Sequence, residues 1–222
     1  MKTGRMLYRA LPIALLLVVL PGALLAKDDK PAAVPSMRVA IFPYLNTTEE
    51  LGAAKIMGDI MRDQLKKVEA ARATFLWPDD VERLLTDSNE MARIDKITDR
   101  WATSGILDTT SVAGLESMLM VDAILLVRVK EWENHRVPVV GAGQSSATVA
   151  LSFALYDVRT DKLLWTKSPR EQRFSAEMDA SSTSVNYDET GVIQRKSDNA
   201  PPRYESVAGD LIRDAFKKFP RG

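Results

Sequence analysis

The chain has 222 residues with 30 basic and 30 acidic side chains, so its net charge near zero gives no electrostatic case for nucleic-acid binding. It has no cysteine, which excludes disulfides, thiolate metal sites, a cysteine nucleophile and a lipid-modified N-terminal cysteine. With a single histidine, a histidine-based zinc site is also disfavoured.

The first 26 residues have the pattern of a cleavable secretory signal peptide. Three basic residues precede the apolar run Leu11–Leu20, which is shorter than the roughly 20 residues that a membrane-spanning helix needs. Cleavage is predicted after Ala26, and a retained membrane anchor is the alternative because Leu24 is larger than signal peptidases prefer at that place. Removing 26 residues, three of them basic and none acidic, leaves 196 residues with 27 basic and 30 acidic side chains. Residues 27–36, with two prolines, predict an extended linker.

A single α/β domain is predicted for residues 37–222, because a chain of this length can bury one sizeable hydrophobic core. The first strand is predicted over Met37–Pro43, whose nearly continuous apolar residues are typical of a strand covered on both faces. Thr47 and Glu50 then match a capping box, which predicts that a helix begins there, with Leu51 on its apolar face.

The next elements are mainly helical. A brief strand at Ala73–Trp77 is followed by Pro78 and two aspartates, residue types that are favoured at helix N-termini. A further helix carries Trp101 on its apolar face and is predicted to end near Gly105, and Asp108 is predicted to cap another helix.

The C-terminal part changes to a period of two. Ala123–Val129 is predicted as an apolar strand, and the alternation of Thr148–Tyr156 predicts a half-buried strand. Residues 157–161 predict a tight turn into the partner strand Lys162–Thr166, so the two strands form an antiparallel hairpin. Residues 178–203 have too few large apolar side chains for a core and are predicted as a long mobile loop before a final amphipathic helix.

The segment Val39–Thr47, with the sequence Val-Ala-Ile-Phe-Pro-Tyr-Leu-Asn-Thr, resembles the opening strand and loop of envelope proteins related to the TolB N-terminal domain, LpoB and CsgG. Leu115–Val129 and Ala154–Trp165 resemble the helix, apolar strand and strand-turn-strand ending in Leu-Trp of that superfamily and of neisserial-type lipoproteins. The resemblance implies a single mixed β-sheet packed by helices, the TolB N-terminal-like and anticodon-binding-domain-like architecture. It also implies an envelope adaptor, an activator of a cell-wall synthase or a subunit of a secretion pore.

Two features depart from that superfamily. Many members carry a lipidated cysteine, which this chain lacks, so a lipid tether is not expected, while peripheral association with a membrane stays open. The pore-forming members have two long alternating segments, and the corresponding stretches here, Asn134–Ser146 and Met178–Asn199, alternate over too few residues. A ring or outer-membrane pore subunit is therefore the alternative hypothesis.

No catalytic, cofactor-binding or metal-binding residue is predicted. His135 would have to serve any Ser-His-Asp arrangement, and it lies at a strand end where an exposed loop residue is expected. Gly141–Gly143 lacks the Gly-Lys-Ser/Thr of a phosphate loop. An enzyme with an unrecognised site is the third hypothesis.

The sequence therefore predicts a non-catalytic exported protein of the periplasm or outer-membrane periphery that binds another envelope protein, without a cofactor or nucleic acid. Its oligomeric state stays open. Two polar loop segments with a few apolar side chains, and one tryptophan, are predicted to bind the partner, although a tolerated surface insertion explains the loops equally well. The predicted partner-binding residues are Trp132, Val137, Val139, Val140, Val185, Tyr187, Val192 and Ile193.

Overall fold

The computed structural model describes residues 36–69, 72–137, 144–175, 185–187, 193–195 and 200–220. The predicted signal peptide, residues 27–35 of the predicted linker and Gly141–Gly143 lie outside the described residues. All described residues fall within the unit Val34–Gly222. Among the helices of this described part, none is long and apolar enough to cross a bilayer.

In the described part of the chain, helices dominate between residues 53 and 119, and strands dominate afterwards. The strands are β1 Met37–Ile41, β2 Leu45–Asn46, β3 Ala73–Leu76, β4 Ala123–His135, β5 Ser146–Asp157, β6 Leu163–Lys167, β7 Arg170–Phe174, β8 Val185–Tyr187 and β9 Ile193–Arg195. The helices are α1 Ala53–Glu69, α2 Pro78–Asp87, α3 Ala92–Ser104, α4 Thr109–Val112, α5 Leu115–Leu119 and α6 Tyr204–Phe216.

Strands β1 to β7 form one mixed sheet with the central order β3-β1-β4-β5-β6. β1 runs parallel to both neighbours, β3 and β4, whereas β4 and β5 are antiparallel. β2 pairs with β4 beyond the end of β1, and β6 and β7 pair with different halves of β5. The prediction of an α/β fold with a single mixed sheet packed by helices is confirmed.

One face of the sheet is covered by α1 and α6. The core of this layer is an aromatic cluster in which neighbouring ring centroids lie 5.1 to 6.1 Å apart, within the range of favourable aromatic contacts. Its members are Phe75, Phe153, Trp165, Phe216 and Phe219. Because they come from β3, β5, β6 and the C-terminal region, the cluster joins distant parts of the chain.

The opposite face is covered by α2, α3, α4 and α5, which pack on the alternate side chains of the same strands, such as Ile124 and Leu126 of β4. Trp101 is 4% exposed in this layer, so the prediction that it belongs to the core is confirmed. α3 ends where predicted, because Gly105 adopts φ +69° and its N–H donates to Trp101 O at 2.8 Å.

The predicted capping box is wrong. α1 begins at Ala53, and Thr47 pairs with β4 instead, since its N–H and its Oγ1 both donate to Val129 O, at 3.0 and 2.8 Å. Glu50 Oε1 accepts a local backbone N–H at 3.3 Å and does not reach back to Thr47. Leu51, predicted on the apolar face of the helix, is 93% exposed. The parallel β2–β4 ladder satisfies the polar groups that local capping would have used.

The prediction of a half-buried strand at Thr148–Tyr156 is also wrong, because β5 is buried on both faces. Its larger apolar side chains face α1 and α6, whereas Ala154 and Tyr156 face the other helix layer. The polar positions of β5 hold small side chains, and Thr148 and Ser152 are only 5% and 8% exposed. β5 lies between β4 on one side and β6 and β7 on the other. Its small side chains are therefore covered by their surroundings, although they are polar.

The predicted hairpin turn forms as expected. Asp157 Oδ1 accepts hydrogen bonds from the N–H groups of Arg159 and Thr160, at 2.9 and 2.7 Å, and β5 and β6 are antiparallel. Within the predicted loop 178–203, β8 and β9 pair antiparallel with Tyr187 opposite Ile193. The other residues of that segment up to 199 lie outside the described part, so its predicted mobility stays a prediction.

Candidate functional site

The margin of the sheet formed by β6 and β7 is a candidate binding surface. β7 pairs with the first half of β5 and β6 with the second half, so the two strands form one border, called here the β6–β7 margin (residues 163–174). Among the described residues, no strand pairs with the outer side of this border. Its backbone therefore offers N–H and C=O groups to a partner chain.

Three large apolar side chains along this margin are exposed to solvent: Leu163 at 51%, Leu164 at 43% and Phe174 at 52%. A register shift in β6 places the two leucines, since Leu155 pairs with Trp165 and Tyr156 pairs with Leu163, which leaves Leu164 as an extra residue. Trp165 thereby keeps its place in the aromatic cluster while the two leucines face solvent.

The charges that lack a partner along this margin are positive. Arg170 pairs with Glu131 at 2.9 Å, and Arg173 pairs with Asp210 of α6 at 3.0 Å. Lys167, the last residue of β6, is exposed and forms no ion pair within the described structure, and the same holds for Lys162, which directly precedes β6 and follows Asp161. The margin thus combines apolar side chains with unpaired cations.

Trp132 does not lie on an exposed surface, and the prediction that it contacts a partner is corrected. It is 4% exposed and stacks on Tyr204 of α6, with ring centroids 5.1 Å apart and 28° between the ring planes. The register shift between Val129 and Glu131 in β4 keeps its side chain on the face covered by α6. Burial beside Trp132 also raises the pKa of the Tyr204 hydroxyl.

The other predicted partner-binding residues are only partly within the described structure. Val137 is half-buried and its N–H donates to Ser145 Oγ at 2.9 Å, just beyond β4. Of the remainder, β8 and β9 contain Val185, Tyr187 and Ile193, and the residues outside the described part are Val139, Val140 and Val192.

Val137 lies at the same end of the sheet as Phe174. Phe174 is opposite Ser146 in the β5–β7 ladder, and the N–H of Ser175 donates to Ser145 O at 2.7 Å. The structure therefore brings one predicted residue close to the β6–β7 margin.

The described residues show no arrangement typical of a catalytic centre. His135 is exposed at the end of β4, opposite Ser146. Ser146 Oγ accepts a hydrogen bond from Gln172 Nε2 at 3.3 Å, and among the described hydrogen bonds none joins this hydroxyl to the imidazole. Within the described ranges, no cluster of three or more histidine, aspartate or glutamate side chains is arranged to hold a metal ion.

Sequence analysis missed the exposed residues of the β6–β7 margin, although signals for them exist. Lysines flank the strand at positions 162 and 167, and Pro169 separates β6 from β7. Flanking lysines and a proline are typical of an edge strand. An apolar strand with both signals predicts an open sheet border with exposed leucines.

Comparisons with known proteins give distant likenesses. No protein-family model matches the chain, and no match was found among curated proteins. Similar solved structures include the lipoprotein GNA1162 from Neisseria meningitidis, at 18% identity over 66% of this chain and 89% of that chain, with a TM-score of 0.40. Another is the PelC dodecamer from Paraburkholderia phytofirmans, at 15% identity over 82% of this chain and 86% of that chain, with a TM-score of 0.44. A third is the LpoB C-terminal domain from Salmonella enterica, at 10% identity over 64% of this chain and 87% of that chain, with a TM-score of 0.32. Bacterial lipoproteins are thus among the similar structures.

Proposed function

We propose that the protein is a non-catalytic adaptor or activator of the cell envelope, which binds an extended segment of another envelope protein along the β6–β7 margin. The observation that supports this function is the open strand border with exposed Leu163, Leu164 and Phe174. Export to the periplasm or outer-membrane periphery, with cleavage after Ala26, is supported by the N-terminal sequence pattern.

An extended segment suits this margin because an edge strand can accept one more strand through main-chain hydrogen bonds, while side-chain contacts supply specificity. The exposed leucines provide apolar contacts beside the added strand. Lys162 and Lys167 favour a segment with acidic residues. A second copy of the chain that paired antiparallel along β6 would bring these lysines close to each other, which disfavours self-association.

The loop end of the sheet extends the same proposed surface. Val137 and Phe174 lie near each other there, and β8 begins at Val185, eleven positions after Phe174 in the chain. We include Val137, Val139, Val140, Val185, Tyr187, Val192 and Ile193 in the proposed contact region. Trp132 is left out because it is buried.

A photo-crosslinking residue at position 164 tests the function in cells, with the same residue at position 51 as the control. Leu51 is 93% exposed but lies outside the margin, before α1, so it matches Leu164 in chemistry and is more accessible. We expect position 164 to capture one envelope protein and position 51 to capture none. Leu164→Glu should weaken that capture about tenfold, because it removes an apolar contact and opposes an acidic segment, while Leu51→Glu should not.

Hydrogen exchange on the purified complex then locates the contact. Added strand pairing should slow exchange of β6 and β7 backbone amides and leave α2 and α3 unchanged. The adaptor function would be contradicted if position 164 captured only a second copy of the chain or if the protein formed a large homo-oligomer. Equal capture at positions 164 and 51 would contradict it as well. A mature protein that begins at Lys27 in the periplasmic fraction is the expected result for export.

A further inference from the structure

A second feature of the molecule is a crevice near the opposite edge of the sheet, beyond the C-terminal ends of β1 and β3. These neighbouring strands are parallel, and the chain leaves β1 towards α1 on one face but leaves β3 towards α2 on the other. In open α/β sheets, the point where connections leave adjacent strands to opposite faces forms a crevice that commonly holds ligands. The crevice here lies between α1 and α2.

The crevice has a volume of about 470 Å³, which is within the usual range for small-molecule sites. Tyr44, between β1 and β2, forms one wall and lies against α1 at Gly58. A Cβ atom at Gly58 would be 3.1 Å from Tyr44 Cε2, so the glycine permits this close approach. Because Gly58 has no side chain, the Tyr44 ring can pack directly against α1.

The charged groups around the crevice have both signs. Arg62 of α1 pairs with Asp79 of α2 at 2.7 Å and lies over the Trp77 ring, 4.9 Å from its centroid. The other charged side chains of the lining form no ion pair within the described structure: Lys55, Asp59 and Glu82. One free cation and two free carboxylates thus surround the same space.

The Tyr44 hydroxyl is buried and has no hydrogen-bond partner in the described structure. Burial raises its pKa far above the usual range, so the hydroxyl stays neutral and able to donate. A buried hydroxyl without a partner is unfavourable, and such groups call for an explanation in a native structure. The Arg62–Asp79 pair acts on this hydroxyl electrostatically and is itself exposed, with 44% and 85% of the side-chain surfaces accessible. An exposed pair contributes little stability, so it can open for a ligand.

We propose that this crevice binds a small zwitterion with an ammonium and a carboxylate group, such as a free amino acid or a short peptide. Asp59 and Glu82 receive the ammonium group, and Lys55 receives the carboxylate. Tyr44 donates its hydroxyl hydrogen to the ligand once Arg62 moves aside. A dianion such as phosphate fits poorly, because the carboxylates of Asp59, Asp79 and Glu82 would repel it.

A titration of the full mature chain, followed by NMR chemical shifts of backbone amides, tests this site. The probe is the dipeptide alanyl-alanine, and the controls are N-acetyl-alanine, alanine amide and inorganic phosphate. We expect the dipeptide at millimolar concentration to shift the amide signals of α1 and of the start of α2. Each control should bind at least about tenfold more weakly than the dipeptide. Lys55→Gln and Glu82→Gln should each weaken dipeptide binding about tenfold, whereas Lys96→Gln, an exposed lysine on α3, should not.

Tyr44→Phe separates a binding role of the hydroxyl from a structural role. Because the hydroxyl has no partner in the protein, the variant should be at least as thermally stable as the wild type while its affinity for alanyl-alanine falls. Three outcomes would overturn the proposal. Phosphate could bind more tightly than the dipeptide, no probe could shift the amide signals at the crevice, or both charge variants could keep the dipeptide affinity of the wild type. The site is independent of the proposed adaptor function, since β3 and β6 are at opposite edges of the sheet. Leu164→Glu should leave dipeptide binding unchanged.

Discussion

The two helix layers cover the same sheet by different means. α1 and α6, of 17 and 13 residues, cover one face, and the aromatic cluster joins α6 to β3, β5 and β6. The other face is covered by α2 to α5, two of which have only 4 and 5 residues. Four of the residues with positive φ lie in or beside this second layer: Asn89, Gly105, Gly114 and Met120. Side-chain shape therefore dominates the first layer, and backbone turns dominate the second.

The layers also differ in how far apart their residues are in the chain. The aromatic cluster brings together Phe75 of β3 and Phe219 near the C-terminus, with ring centroids 5.9 Å apart. The helices of the second layer come from one continuous stretch, residues 78–119. Contacts over long sequence separation require the whole chain to be folded, whereas local contacts can form earlier. The first layer should therefore respond to core truncations and the second to changes at its turns.

Phe216→Ala should have the largest effect on stability. The ring is 2% exposed and contacts Phe153, Trp165 and Phe219, so its removal should lower the free energy of unfolding by about 3–5 kcal/mol. The matched truncation Leu85→Ala, of a fully buried side chain in the other layer, should cost about 2–5 kcal/mol. Urea unfolding monitored by circular dichroism gives both values. A greater loss for Leu85→Ala than for Phe216→Ala would contradict the comparison.

Local patterns predicted the second layer better than the long-range contacts. Pro78 starts α2 and Gly105 ends α3, as expected, because both positions depend on the conformational preferences of single residues. The capping box at Thr47 failed because β4, 82 residues further along the chain, supplies the acceptor that Thr47 uses. No local pattern contains that information.

The candidate surface was predictable only in part, for the same reason. The hairpin of β5 and β6 follows from the turn residues 157–161, but whether β6 lies at the border of the sheet depends on what else pairs with it. Trp132 was predicted to bind a partner, and the apolar strand was predicted over Ala123–Val129 only. In the structure β4 continues to His135, and Tyr204 of α6 covers Trp132.

Substitutions at two left-handed residues of the second layer should change stability in opposite directions. Gly105 has φ +69° and a Cβ atom there would meet nothing within 4 Å, so Gly105→Ala should cost about 1–2 kcal/mol from the backbone alone. Met120 has φ 54° and is 65% exposed, so Met120→Gly removes strain with little loss of burial. Allowing for the greater flexibility of glycine in the unfolded chain, we expect it to stabilise by less than about 1 kcal/mol. Thermal unfolding of both variants measures this difference, and equal signs would show that the turns do not control this layer.

The smallest expected effect is a difference in how the two layers respond to acid. The guanidinium groups of Arg173 and Arg213 lower the pKa of Asp210 on α6, and hydrogen bonds from Ser111 and Thr110 lower that of Asp108 at the start of α4. A lowered pKa in the folded state means that each carboxylate stabilises the protein above its usual pKa of 3.8, and this contribution is lost as the pH falls further.

Asp210→Asn and Asp108→Asn should therefore each reduce the loss of stability between about pH 5 and about pH 2, measured as urea midpoints. Salt separates the two causes. At about 1 M NaCl the ion pairs of Asp210 are screened, so its contribution to the pH dependence should shrink, while the hydroxyl hydrogen bonds of Asp108 should keep theirs. Equal salt sensitivity of both variants would mean that charge pairing, and not hydroxyl donation, also holds the start of α4, and the contrast between the layers would then be limited to packing and backbone turns.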